Sequence, residues 1–492
     1  MDVAEILAEL TRTTGLPPVL ATDIEKYLAS PITFWCDWHA PDNRRDSITP
    51  YQQHMFDSAN EHRSLVMDSV YPGAAQRVFR GDREGLQLTL ELMAQGEPAI
   101  KNMPLACGMM GLRGRPNLLL RSEAAESRLG PYCYQVVEIK AARNIQRGHL
   151  LQGAAYNRLV GAAQGYEPAE FYIRNRDGDV KIVPMAGVEQ DLEDVLQEMR
   201  EIIKGKAVDP CHGAAQWPWI SYVNNLAITA NDVSLIPGVG VSMRENLVNM
   251  GFGTVADLAE ALEQSLTEVP RVGAATACRF ITAAKAISQG HPVPRNKPQP
   301  IARATTEVFL DFEGTDPSFG DDNSLEVVNY LIGNVVRQGG SSPEFVPFFA
   351  DSVAAEEANL REFLYWGRSL EDPTFYHWHH YEKTHLTKMV DHYGVSPEQA
   401  APVLDHLTDL YPITTRAYAF PTYGESLKDI ARYLGFNWRQ EDVDALTSVA
   451  LYYQYLESAG TDGVTRQKIL DYNEDDCVAT MHVLDWLTAA QR

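Results

Sequence analysis

Apolar and polar residues are spaced in several stretches of the chain so that strands and helices can be told apart. The run Val308-Phe309-Leu310 leads into Asp311-Phe312-Glu313-Gly314 and reads as a strand. Alternate residues of a strand share a face, so Asp311 and Glu313 project together. Tyr472-Asn473-Glu474-Asp475-Asp476 lies in a helical pattern, where the i, i+4 spacing puts Tyr472 and Asp476 on one face. Phe171-Tyr172-Ile173-Arg174 and Val180-Lys181-Ile182-Val183 alternate on either side of Asp177-Gly178, a hairpin signal. Upstream, Val136-Val137-Glu138-Ile139-Lys140 predicts a strand with Glu138 and Lys140 on the same face. A helical stretch from Gly148 to Tyr156 follows, with Gln152 and Tyr156 at i, i+4. The segment Glu425 to Gly435 predicts an amphipathic helix capped by Ser426 and ended by Gly435. Its Lys428 and Arg432 are read as solvated surface charges, with contact to substrate phosphate as the alternative.

Packing the helix of Tyr472 and Asp476 across the strand of Asp311 and Glu313 brings several carboxylates together. Clustered carboxylates repel one another unless a cation sits among them. The pattern therefore points to Mg²⁺ or Mn²⁺ and to metal-assisted hydrolysis, most simply of a phosphodiester.

Composition adds limits. The 492 residues exceed one ordinary core, so roughly two to four domains are expected. The clearest boundary is His291 to Pro300, where four prolines in ten residues read as a semi-rigid linker. The expected domains are 1–210, 211–290 and 304–492, with the linker at 291–303. No apolar run is long enough to span a membrane. The acidic start Met1-Asp2-Val3-Ala4-Glu5 lacks the basic region of a signal peptide. Cysteines 36, 107, 133, 211, 278 and 477 form no CxxC pair, which favours reduced thiols in the cytoplasm. The net charge of −24 is uneven: residues 301–492 hold 13 Lys+Arg against 31 Asp+Glu, a net −18. Most of that charge is expected to be solvated surface. So acidic a domain repels a phosphate backbone unless metal neutralises its site and another module supplies the grip.

Leu235-Ile236-Pro237-Gly238-Val239-Gly240 and Val269-Pro270-Arg271-Val272-Gly273 each precede a helical pattern. They resemble tandem helix-hairpin-helix modules, which hold the nucleic-acid backbone without reading sequence. The resemblance makes Gly238, Gly240 and Gly273 nucleic-acid contacts; an ordinary helical spacer is the plainer alternative. Arg271 stands where the first copy has a glycine.

Glu138-x-Lys140 followed by Gln152-x-x-x-Tyr156 resembles the RecB-like branch of the PD-(D/E)xK nucleases. The resemblance implies an α/β restriction-endonuclease-like core, with Glu138 on metal, Lys140 acting on water or the transition state, and Gln152 and Tyr156 on nucleic acid. That pattern expects a metal-binding Asp one strand earlier, and Asn117 occupies its place in Gly114-Arg115-Pro116-Asn117-Leu118-Leu119-Leu120. An amide is neutral and loses most of the Coulombic attraction for a cation. The unit is then either a naturally weakened nuclease kept as a scaffold or one inactivated by substitution. His62 resembles the early histidine of such domains; a surface or capping role is the alternative.

Residues 304–492 resemble a DEDD-type exonuclease on an RNase H-like α/β fold. Asp311 and Glu313 match the first motif, and Tyr472-x-x-x-Asp476 matches the third. Tyr376 to Glu382 resembles the second motif, with His377 for Asn, Tyr381 for Phe and Glu382 for Asp. The resemblance implies two metals, with Asp311 bridging them, Glu313 and Asp476 completing the shell, and Tyr472 orienting water.

The whole order resembles RecB-like nuclease fusion proteins of bacteria and archaea. Cys211 stands alone where relatives often carry a cysteine cluster, so no iron–sulfur cluster is expected. Three readings stay open: a metal-dependent nuclease acting 3′→5′ on DNA or RNA, a catalytically degenerate binding protein in a repair or defence complex, and an N-terminal domain still active with an unorthodox ligand set.

Overall fold

The computed structural model describes residues 2–296, 301, 303–315, 327–339, 341–440 and 443–490. They divide into two units. The first holds the residues up to Ile48 and Gln52–Asn224; the second holds Thr49–Tyr51 and the described residues from Asn225 onward.

The first unit is built on a mixed sheet. Its strands, in spatial as well as chain order, are β1 (Ala99–Lys101), β2 (Leu118–Ser122), β3 (Cys133–Ile139), β4 (Glu170–Arg174) and β5 (Val180–Pro184). All neighbours are antiparallel except β3 and β4, which are parallel. The β4–β5 hairpin turns where expected, with Gly178 at φ +90°. Helix α1 (Asp23–Ala29) precedes the sheet, and helix α2 (Arg147–Gln164) makes the β3-to-β4 crossover. Buried Leu151, Ala154, Ala155 and Leu159 of α2 pack on Tyr134, Val136, Phe171 and Ile173 of the sheet. At Gly153 a Cβ would lie 2.3 Å from the Phe171 ring, so helix and sheet close to this distance only with glycine.

Trp219 and Val223 are buried with Ile32 and Cys36. That apolar contact keeps residues 211–224 with the first unit, past the boundary expected at 210.

In the second unit, two helices start at the hairpin glycines: α3 (Val241–Asn249) behind Gly240 and α4 (Ala274–Gln289) behind Gly273. Leu247, Val255, Leu258 and Phe280 share their core. Gly238 takes φ +86°, and Arg271, its counterpart in the second copy, takes φ +68°. The second hairpin therefore keeps the left-handed turn at a non-glycine residue, which costs it some backbone strain.

The semi-rigid linker expected at 291–303 is held by pairing and side-chain contacts where it is described. Val293–Pro294 pairs antiparallel with Tyr418–Ala419, and Pro294 tolerates this because an edge strand can lack an N–H. Arg295 donates to Thr415 O (2.6 Å) and pairs with Glu425 (3.2 Å), with both side chains largely buried. Residues 297–300 and 302, part of the same expectation, lie outside the described residues.

The remainder forms a second mixed sheet from β6 (Thr306–Gly314), β7 (Asn329–Gln338), β8 (Glu344–Phe345), β9 (Pro373–His377) and β10 (Leu407–Asp409). The spatial order is β8-β7-β6-β9-β10, with β6–β9 and β9–β10 parallel. Helix α5 (Tyr381–His392) follows β9, then come α6 (Leu427–Tyr433), α7 (Ala445–Glu457) and the 28-residue α8 (Gly463–Ala490). Helix α6 is capped by a Ser426/Asp429 box, and Gly435 follows it at φ +93°. Helix α8 lies against β6 and β7 and carries its carboxylates to the centre of the sheet. Among the described residues, no helix is long and apolar enough to cross a membrane.

Candidate metal centre and nucleic-acid interface

Asp311 and Glu313 leave β6 on one face and meet Asp476 of α8. One ligand oxygen from each lies within 4.8 Å of the others, the one such group among the described residues. Each carboxylate is held by neighbours. Asn473 Nδ2 donates to Asp311 Oδ2 at 2.7 Å, and Trp438 Nε1 donates to Asp476 Oδ1 at 2.7 Å. Tyr330 OH lies 3.4 Å from Glu313 Oε2 and 2.8 Å from Ser448 Oγ. Asn473 can reach the strand because Gly333, the cross-strand partner of Asp311, has no side chain.

Burial raises all three acids. Asp311 is pushed well up, by burial and then by Asp476, Glu313 and Glu382. Burial and Asp476 raise Glu313 to about 8. Burial raises Asp476 to about 6, against the pull of Lys428, Trp438 and Tyr472. Three carboxylates, Glu313 and Asp476 buried and Asp311 half-buried, that destabilise one another's charge fit a hard divalent cation, which takes oxygen ligands.

Tyr472 is buried beside them and hydrogen-bonds Asp476. Glu382, at the start of α5, is buried and lies 3.2 Å from His377 Nδ1. It is near enough to raise Asp311 but stands outside the three-oxygen group. Asp475 and Glu474 face away and hold Arg439 at 2.7 Å each. The motif thus divides by helix face, as the i, i+4 spacing requires.

Lys428 differs from its expected place as a solvated charge. Its Nζ lies 4.5 Å from the Tyr472 ring centroid and 3.2 Å from Val443 O, and it lowers the Asp476 carboxyl. Lys428 stands two residues past the Ser426 cap of α6 and reaches toward the carboxylates, which no local pattern signals. Asn473 and Trp438 were likewise not singled out in the sequence; Asn473 sits inside the acidic motif, and Trp438 has no signal of its own.

In the first unit, Glu138, Lys140, Gln152, Tyr156 and Asn117 also come together. Lys140 Nζ donates to Gln152 Oε1 and to Glu25 Oε1, and Gln152 Nε2 donates to Tyr156 OH at 3.2 Å. Glu25, on α1, is far away in the chain and carries no local signal. Asn117 N donates to Glu138 Oε1 at 2.8 Å, and Asn117 Oδ1 accepts from Ile139 N at 2.8 Å. The amide therefore bridges two strands at the place where the resemblance puts a metal ligand. Burial raises Glu138 to about 7, against the pull of Lys140 and the Asn117 N–H. His62 Nε2 is buried without a hydrogen-bond partner.

Gly240 and Gly273 cap α3 and α4 without a side-chain bond to the N–H groups of those first turns.

Residues 308–488 match the family model of the RNase H superfamily, and residues 231–286 match that of the SAM-like helix-hairpin-helix tandem. No curated protein matches the chain. The C-terminal part is thus an RNase H-like domain, a fold of metal-dependent nucleases, preceded by a nucleic-acid-binding helix-hairpin-helix pair.

Proposed function

We propose that the chain is a metal-dependent nuclease whose RNase H-like domain hydrolyses phosphodiester bonds at the 3′ ends of DNA or RNA. The convergence of Asp311, Glu313 and Asp476 within 4.8 Å carries this reading. These three, with Glu382 beside them, would hold two Mg²⁺ or Mn²⁺ ions. Bound divalent metal supplies an acidified water and charge to offset that building on the phosphoryl oxygens. The chain's residues do the positioning. Asn473 and Trp438 fix the directions of the Asp311 and Asp476 oxygens. Tyr472 presents its hydroxyl at Asp476, where it orients the attacking water. The Lys428 ammonium beside Tyr472 adds positive charge at the rim of the carboxylates. The hairpin N–H groups hold the backbone that the acidic domain would repel.

Degradation of end-labelled strands in Mn²⁺ is expected to stop with Asp311→Ala. An unchanged rate in that variant would overturn the assignment.

For the first unit we infer a RecB-like PD-(D/E)xK fold kept as a binding scaffold. The mixed sheet carrying Glu138 and Lys140, with Gln152 and Tyr156 on the crossover helix, supports the fold. The Asn117 side-chain oxygen, taken up by Ile139 N, and its backbone N–H, donated to Glu138 Oε1, favour the scaffold role. The six free thiols favour a cytoplasmic location.

A further inference from the structure

Between the first hairpin and the RNase H-like domain, inside the second unit, lies a cleft of about 480 Å³. Pro237, Gly238 and Arg279 line one side. Trp378, Tyr411 and Tyr423 line the other, with His379 beside them. Tyr411 anchors the aromatic wall, edge-on to Trp378 (5.7 Å) and to His379 (4.8 Å). His379 and Tyr423 are exposed, so ring surface faces the opening.

Charge in the cleft is one-sided. Glu425 is its carboxylate, and Arg295 and the Tyr411 hydroxyl already occupy that group. The guanidinium of Arg279 packs on the hairpin backbone, where a Cβ on Gly238 would lie 2.8 Å from its Nη2. Among the described residues no carboxylate pairs with it. A cation without a counter-charge, facing a domain that is strongly acidic, marks a place for an anion.

The cleft also joins two regions already described. Gly238 belongs to the hairpin whose next turn opens α3, with its unbonded N–H groups. Leu427 lines the cleft, and the following residue, Lys428, borders Tyr472.

We propose that this cleft seats one nucleotide of a single strand on its way from the first hairpin to the carboxylates. Its base stacks on the Tyr423 and His379 side, and its phosphate lies against Arg279 and the hairpin amides. Aromatic faces accept any base, whereas a paired base keeps its faces stacked inside the helix. The cleft therefore selects single strands over duplex. The proposal rests on the chain's acting on nucleic acid, not on its cleaving it.

The test uses the full chain with Asp311→Ala, so that no end is consumed. Fluorescence anisotropy measures its binding to labelled oligothymidylate, oligouridylate and a blunt duplex. Tyr423→Ala and Arg279→Gln are each expected to weaken single-strand binding about fivefold or more, the scale of one lost base stack. Duplex binding and the unfolding temperature are expected to stay at the parent values. The two single-stranded arms tell whether deoxyribose or ribose is preferred. Single-strand binding equal to the parent's in both variants overturns the cleft, as does an equal loss on duplex. The unsubstituted chain is assayed for cleavage in parallel. Cleavage with unaffected binding in the variants removes the cleft alone; lost binding without cleavage by the unsubstituted chain removes the nuclease reading alone.

Discussion

Asn473 lies so close over Gly333 that a Cβ on Gly333 would fall 1.5 Å from Asn473 Oδ1. The same amide donates to Asp311, the residue paired with Gly333 across the sheet. One bare backbone position thus sets how near helix α8 comes to β6, and with it the spacing of the carboxylates.

Gly333→Ala should displace α8. Overpacking of this kind costs about 1–3 kcal/mol, read as a lower denaturant midpoint. Cleavage should fall further than stability, because Asp476 moves with the helix. Adding Asn473→Ala should restore the midpoint but not the rate, since Asp311 then lacks its donor.

The pH dependence follows from two acids held above their ordinary value of 4.5, Glu138 at about 7 and Glu313 at about 8. Folded, they keep protons that the unfolded chain releases, so stability declines as pH rises from about 4.5 to about 8. In chelator, the melting temperature near pH 8 should lie several degrees below that near pH 5, of the order a few kcal/mol produces. Mn²⁺ should raise it more near pH 8, where the acids are ionised. A metal effect equal at both pH values would count against ion binding by these carboxylates.

Lys428→Met keeps an unbranched side chain of similar length and removes the ammonium that lies over the Tyr472 ring. The cleavage rate should drop about tenfold or more, the scale of one lost electrostatic contact in a water-poor site. The melting temperature should change little. A rate unchanged by the substitution would return Lys428 to the role of surface charge.

Asn117→Asp keeps the oxygen that accepts from Ile139 N but sets a second carboxylate beside buried Glu138. In chelator this variant should melt several degrees below the parent, from repulsion between like charges. Mn²⁺ should return most of the difference. A melting point indifferent to metal would show that the two acids do not share an ion.

Features that depend on local spacing were legible in the sequence. The shared face of Asp311 and Glu313, the i, i+4 pair Tyr472 and Asp476, the β4–β5 turn and the Ser426 cap all depend on residues a few positions apart. Glu25 and Trp438 were not legible as site residues, and Lys428 was read first as a surface charge. Each reaches its place through a tertiary contact with no periodic trace. The strand pairing inside the linker was not legible for a related reason: proline content forbids helix but says nothing about which edge strand will pair with Val293. Asn117 was noticed, but only as an absent charge; its service to the Ile139 N–H needs the neighbouring strand to be seen.

The pairing of Val293–Pro294 with Tyr418–Ala419, reinforced by Arg295 on Glu425, has a consequence for the products. It fastens the hairpin module to the RNase H-like domain, the proposed grip to the proposed cutting centre. A grip that cannot slide relative to the cutting centre works as a ruler. An end long enough to reach from hairpin to carboxylates is held between rounds, while a shorter remnant loses its hold and leaves. Digestion should therefore stop at short fragments of narrow size range.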